Sequence, residues 1–156
     1  MEKIRQYQDL RARIWEASEQ WIGQRRQAAQ VAMEAAQESA NGESKSSAGD
    51  KYETGRAMAQ NDRNLYASQW AQWNDLSQQL TRFKNPPADF QVSPGSLIET
   101  TLGWFWLSVS LGRLPMDDLT ITILSASSPL GKTLVGKKTG DSFSFQGNEG
   151  SILGVG

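Results

Sequence analysis

Two stretches of this 156-residue chain hold residue types at spacings that chemistry can use. The first is a polar break, Asn41-Gly42-Glu43-Ser44-Lys45-Ser46-Ser47-Ala48-Gly49-Asp50, whose carboxylates Glu43 and Asp50 are followed three residues on by Glu53. The chain has neither Cys nor His, so a metal here would have to be held by carboxylates, which suits Mg²⁺ or Ca²⁺ and not zinc, haem or an iron–sulfur cluster. The same absence leaves no Ser–His or Cys–His nucleophile within the chain. Asp50 and Glu53 also have the spacing of a helix-capping box, in which both acids serve the backbone alone. The second stretch is Ser128-Pro129 ahead of Lys132-Thr133-Leu134-Val135-Gly136, where Ser before Pro reads as a helix start and Gly as its end. Lys132, Lys137 and Lys138 nearby read first as a solvated edge.

The elements that must position these residues change character near residue 85. Before it the chain is rich in Gln, Ala, Arg and Glu, has no Pro, and is broken once, at the polar stretch. Ile4, Tyr7, Leu10, Ile14, Ala17, Trp21, Gln24, Ala28, Val31 and Ala35 recur at steps of three and four. Tyr66, Trp70, Trp73, Leu76, Leu80 and Phe83 do the same after the break. Folding back about residue 46 predicts an antiparallel coiled-coil hairpin over 1–84 with its tip at about 42–50, Trp21 near Trp70 and Ile14 near Leu76. Each helix would reach roughly 55 Å at 1.5 Å per residue. Asn85-Pro86-Pro87 stops the second helix and opens a linker over 85–94. Residues 95–156 predict strands at 96–101, 104–110, 119–124, 142–146 and 151–155, with turns at Gly103, Gly112, Gly140 and Gly147-Asn148 and one short helix from Pro129. A four- or five-stranded sheet with one helix makes the fold class α+β.

Composition narrows the function. Apolar residues are 38% and mean hydropathy is −0.55, lean for one compact core. Net charge is −1, with twelve basic against eleven acidic residues in 1–84 and four against six in 85–156. Neither part is an electrostatic nucleic-acid binder, and no sequence-specific DNA binding is expected. No run of about 18 apolar residues and no signal-like start is present, so the expectation is a cytoplasmic protein without a membrane partner. Trp104 and Trp106 share one strand face with only Arg113 close by, too little positive charge for a base-stacking platform.

The segment Ile121-Thr-Ile-Leu-Ser-Ala-Ser-Ser-Pro-Leu-Gly-Lys-Thr-Leu-Val-Gly-Lys-Lys-Thr-Gly-Asp141 closely resembles the C-terminal domain of the Gre transcript-cleavage factors, where a strand leads into Ser-Pro-Leu-Gly-Lys-Ala-Leu-Leu-Gly-Lys-Lys-x-Gly-Asp. Pro94-Gly-Ser-Leu-Ile-Glu-Thr100 resembles the start of that domain. Lys51-Tyr-Glu-Thr-Gly-Arg56 is similar to the start of the family's second helix. The resemblance implies an FKBP-like domain that docks at the rim of the RNA polymerase secondary channel through the loop before its short helix, here Ser125, Ser128, Pro129 and Leu130. It implies that the hairpin enters the channel and meets the 3′ end of backtracked RNA. Tip acids, here Glu43, Asp50 and Glu53, would then help the polymerase hold a second Mg²⁺, with Glu43 and Asp50 as its ligands. On this reading the chain has no catalytic residue and no cofactor of its own, and assists the polymerase's nuclease activity.

The family pattern places two acids three residues apart at the tip, and aligned on Tyr52 those positions are Lys45 and Ala48. Two outcomes therefore stay open: stimulation of RNA cleavage, or channel occupancy without it, with Lys45 and Lys51 opposing a cation nearby. A prolyl isomerase suggested by the FKBP-like fold, and a coiled-coil adaptor unrelated to transcription, are the readings from other classes.

Overall fold

Strong helix formers carry the first two elements a long way. The computed structural model describes residues 2–43, 49–87 and 89–156, with side chains for all of these except 43 and 49–52. Helix α1 is Glu2–Glu43, 42 residues, and α2 is Gly49–Thr81, 33 residues; together they form a helical hairpin. Strands β1 (Leu97–Thr100), β2 (Gly103–Leu107), β3 (Gly112–Met116) and β4 (Leu119–Leu124) follow. Helix α3 (Pro129–Leu134) and strands β5 (Ser142–Phe145) and β6 (Asn148–Val155) complete the α+β order. Among the described residues no helix is long and apolar enough to cross a membrane.

The chain divides into two compact units, and the division does not fall between helices and sheet. One unit is Gln20–Gln78; the other joins Met1–Glu19 to Gln79–Gly156. The segment read as a linker is partly built into the second unit. Val92 is buried, its N–H donates to Lys137 O at 2.8 Å, and its carbonyl accepts from Gly136 N at 2.8 Å.

In the 20–78 unit the two helices run antiparallel. Trp21 meets Trp73 edge-on at 5.5 Å between centroids, not Trp70, so the pairing is displaced by one turn from the sequence expectation. Arg26 Nη1 reaches Asn74 Oδ1 at 3.3 Å on one flank. The buried stripe of α1 also departs from the seven-residue seam. Gln24, Ala28, Val31 and Ala35 are exposed, Val31 to 55%, while Ile22, Ala29 and Ala40 are buried. Ser18, Ala29 and Ala40 stand eleven residues apart, a period of 3.67 per turn, and a stripe at that period drifts steadily away from a 3.5-residue one.

In the other unit six strands form one mixed sheet in the order β3-β4-β2-β1-β6-β5, antiparallel except for the β2–β4 pair. The sequence expectation of four or five strands missed β3, whose Gly112 reads as a turn. Pro is tolerated there because β3 is an edge. One sheet face packs Ile98, Phe105, Leu107, Phe143 and Ile152 against Leu134 of α3 and against Val92. The opposite face presents Leu97, Trp106, Ile121 and Ile123, all fully buried.

The start of α1 lies on that second face. The Tyr7 ring meets Trp104 at 5.9 Å, and its hydroxyl donates to Glu99 Oε2 at 2.7 Å. Phe83, just past α2, meets Trp106 edge-on at 6.4 Å. Trp15 Nε1 donates to Leu80 O at 2.8 Å, and Arg11 Nη2 donates to Pro86 O at 3.0 Å. Tyr7 can lie this close because the strand beneath it is glycine. A Cβ on Gly154 would stand 1.9 Å from the Tyr7 oxygen and 2.5 Å from Cζ.

Gly154→Ala should therefore destabilise the chain by about 1–3 kcal/mol, the usual cost of overpacking. Gly23→Ala, where a Cβ meets nothing within 4 Å, should stabilise it by roughly 0.5–1 kcal/mol through helix propensity. Urea unfolding followed by tryptophan fluorescence measures both. A second expectation concerns alkali. Burial first, and the Glu99 hydrogen bond and charge second, push the Tyr7 phenol far above the ordinary tyrosine range. Tyrosine in the unfolded chain ionises near pH 10 while folded Tyr7 keeps its proton. The unfolded state then binds fewer protons, and stability falls as pH rises above that value. Wild type should exceed Tyr7→Phe by about 1–2 kcal/mol at pH 7, for a bond to a charged, half-exposed acceptor, and the gap should narrow between pH 10 and 11.

Candidate functional site

The loop between β4 and α3 is built from hydroxyls. As β4 ends at Leu124, Ser125 accepts the N–H of Ser127 on its Oγ at 3.1 Å, and the two hydroxyls share a hydrogen bond of 2.7 Å. Ser125 O accepts twice from Ser128, from its N–H at 3.0 Å and from its Oγ at 2.6 Å. Ser128 is the N-cap of α3, extended at φ −66°, ψ 159°, and its Oγ accepts from Gly131 N at 3.1 Å. Pro129 takes the first helical position, where its missing N–H costs nothing. The helix read from Pro129 to the glycine beyond it is present, and Gly136 stands past its end at φ +87°.

Of the four residues expected to dock, Ser125 and Ser128 are in direct contact and half-buried, and Pro129 is exposed. Leu130 is half-buried and packs on the hydrophobic cluster under the sheet. The loop thus offers the Pro129 ring and the Ser127 hydroxyl to solvent, while Ser128 and Leu130 hold its shape. Sequence reasoning missed Gly131 as a requirement. A Cβ there would stand 2.2 Å from Ser125 O and 2.9 Å from Ala126 Cα, so the loop closes over α3 only above a glycine. The sole signal was a glycine inside a helix, where it otherwise costs stability. The hydroxyl pair of Ser125 and Ser127 was also missed, since serine spacing alone does not fix a rotamer.

At the hairpin end, α1 stops at Glu43 and α2 starts at Gly49. The side chains of Glu43 and Asp50, and residues 44–48 including Lys45, lie outside the described residues, as does the proposed Asp50 cap. Glu53 is exposed. Among the described residues no three carboxylates gather into a group that could hold a metal ion.

The tryptophans are buried or half-buried and serve packing. Trp106 is fully buried with Nε1 donating to Gly95 O at 3.3 Å, and Trp104 is covered in part by Tyr7. Arg25 stacks over Trp21 at 3.2 Å from the ring centroid, and Lys84 lies 5.1 Å from that of Trp15. No family model matches the chain, and no curated protein matches it.

Ser128→Ala should cost about 1 kcal/mol as a lost N-cap and should speed hydrogen exchange at the Gly131 amide. Gly131→Ala should cost more, since backbone must move. Thermal unfolding of both variants, with amide exchange on the first, measures the difference.

Proposed function

We propose that the protein is an RNA polymerase-binding elongation factor of the Gre type. Its sheet domain docks at the rim of the secondary channel through the Ser125–Leu130 loop, and the end of its hairpin enters the channel beside the 3′ end of backtracked RNA. The observation that carries the reading is the Ser128-Pro129-Leu130-Gly131-Lys132 segment. Its sequence resembles the family's docking segment, and it takes the form of a hydroxyl-capped turn with an exposed proline. A two-helix hairpin ahead of an α+β domain supports the same assignment. The contribution of this chain is binding and occupancy; bond-breaking stays with the polymerase.

Within this proposal, occupancy without cleavage is favoured by one feature. Lys45 and Ala48 stand where the family pattern has its acids, and a lysine at short range opposes a second cation.

The test uses the full chain with core RNA polymerase and a backtracked elongation complex in Mg²⁺. The chain should bind core enzyme, and Pro129→Asp should weaken binding about ten-fold or more, roughly 1.4 kcal/mol. Slower nucleotide addition without short 3′ RNA fragments is the expected outcome. Fragments above the polymerase's intrinsic rate would establish cleavage stimulation and correct the occupancy reading. Failure to bind core enzyme, under conditions where a Gre factor binds, would overturn the proposal.

A further inference from the structure

The sheet has two edge strands, β3 and β5, and they are not alike. β3 carries Pro115, which has no N–H, and the turn after it ties Asp117 to Arg13. Prolines and charges of this kind keep an edge from pairing with other chains. β5 is Ser-Phe-Ser-Phe, with neither proline nor charge. It turns into β6 through Gln146-Gly147, with φ of +52° and +80°, a two-residue turn of type I′. Such a turn makes Phe145 and Asn148 a hydrogen-bonded pair, and Phe143 with Gly150 the next. The N–H and C=O of Ser142 and Ser144 then point away from β6. The chain before the strand keeps this phase, since Ile152 N donates to Asp141 O at 2.9 Å. Among the described residues no loop takes up the main chain of Ser142 or Ser144.

An open groove of about 370 Å³ runs along this edge. Thr133 and Lys137 form the wall on the α3 side, the edge of Ser142, Phe143 and Ser144 forms the floor, and Glu149 stands opposite. We propose that this groove is a β-addition site for an extended segment of a partner protein that carries an acidic residue facing Lys137. An added strand finds two outward N–H and two outward C=O groups, which supply affinity without regard to sequence. Its successive side chains point to opposite sides. One meets Lys137, with Lys132 and Lys138 exposed on the same stretch of chain; the next meets Glu149. Charge complementarity therefore selects an acid followed by a basic or uncharged residue. The surface is separate from the Ser125–Leu130 loop and does not rest on the polymerase reading.

The probe is a blocked peptide, Ac-TVEKVT-NH2, titrated into the isotope-labelled full chain and read by amide NMR. Saturable shifts at Ser142, Ser144 and Lys137 are expected, with Kd below about 1 mM. Amide exchange at Ser142 and Ser144 should slow about ten-fold at saturation. The peptide with Lys in place of Glu should bind about five-fold more weakly, and one N-methylated at every amide should not bind. Ser144→Pro removes only an outward N–H and should abolish binding. Lys137→Glu, which leaves the strand untouched, should reverse the preference between the two charged peptides. The proposal is overturned if no saturable shift appears up to several times that concentration, or if the N-methylated peptide binds equally well. It is also overturned if Ser142 and Ser144 already exchange as slowly as Phe143 in the free chain. Slow exchange that grows with protein concentration would assign the edge to a second copy and equally overturn it.

Discussion

Burial of Trp106 and its strand neighbours is the constraint on which the sheet-bearing unit rests. Leu97, Trp106, Ile121 and Ile123 form an apolar sheet face with no solvent contact, and each such side chain contributes roughly 1.5–3 kcal/mol by being covered. Helix α3 covers only the other face. The cover for this one is the start of α1, through Tyr7, with Phe83 beside it. That explains why residues 1–19 group with the sheet although they are continuous with the hairpin. It also accounts for polar and charged groups in an apolar setting. Arg11 is 7% exposed, burial lowers its pKa, and one of its nitrogens donates to Pro86 O, tying the helix to the chain that leaves α2. The Ser125–Leu130 loop is held at this face, because it begins where β4 ends, two residues after Ile123.

Much of this was legible in sequence, for reasons that differ by element. The two helices followed from propensity and from a single polar break, and α3 from Ser128-Pro129 and Gly136, which are local signals. β4 followed from alternation in Leu-Thr-Ile-Thr-Ile-Leu, since one of its faces is half solvated. β3 was not legible. Gly-Arg-Leu-Pro-Met has one buried residue, Leu114, and gains its strand form from β4 alone. The hairpin register was legible only to within one turn. Every third or fourth residue of α1 is Ala or Gln over much of its length, so a shift from Trp70 to Trp73 as partner of Trp21 changes little in the pattern while it changes which rings meet.

The candidate site divides along the same line. The cap at Ser128 was readable because it is made by adjacent residues. What closes the loop was not: the carbonyl of Ser125 approaches the α-carbon of Gly131 from across the turn, and that distance exists only once both ends are held. At the hairpin end the sequence supplied acids without geometry. Spacing can place Glu43 and Asp50 on either side of a turn, but it cannot say whether two carboxylates converge, because convergence depends on the backbone between them.

Helix α3 stands between the two surfaces proposed to meet partners, and its anchoring decides whether they can influence one another. Its first turn is fixed by Ser128 to the Ser125–Leu130 loop, and its body is pinned in the core by fully buried Leu134. Past its end the chain is strapped by paired hydrogen bonds between Val92 and residues 136 and 137. A strand added beside β5 would touch Lys137, beyond that pin, and Thr133, which lies before it and whose Oγ1 donates to Pro129 O at 3.1 Å. Passing a displacement from Lys137 to the loop would require Leu134 to shift against Phe143 and Ile152, and close-packed cores resist small shifts. Coupling between partners held at these surfaces should therefore run through Thr133, and Thr133→Val, which keeps the side-chain shape and removes the hydroxyl, should leave each binding with the affinity it has alone.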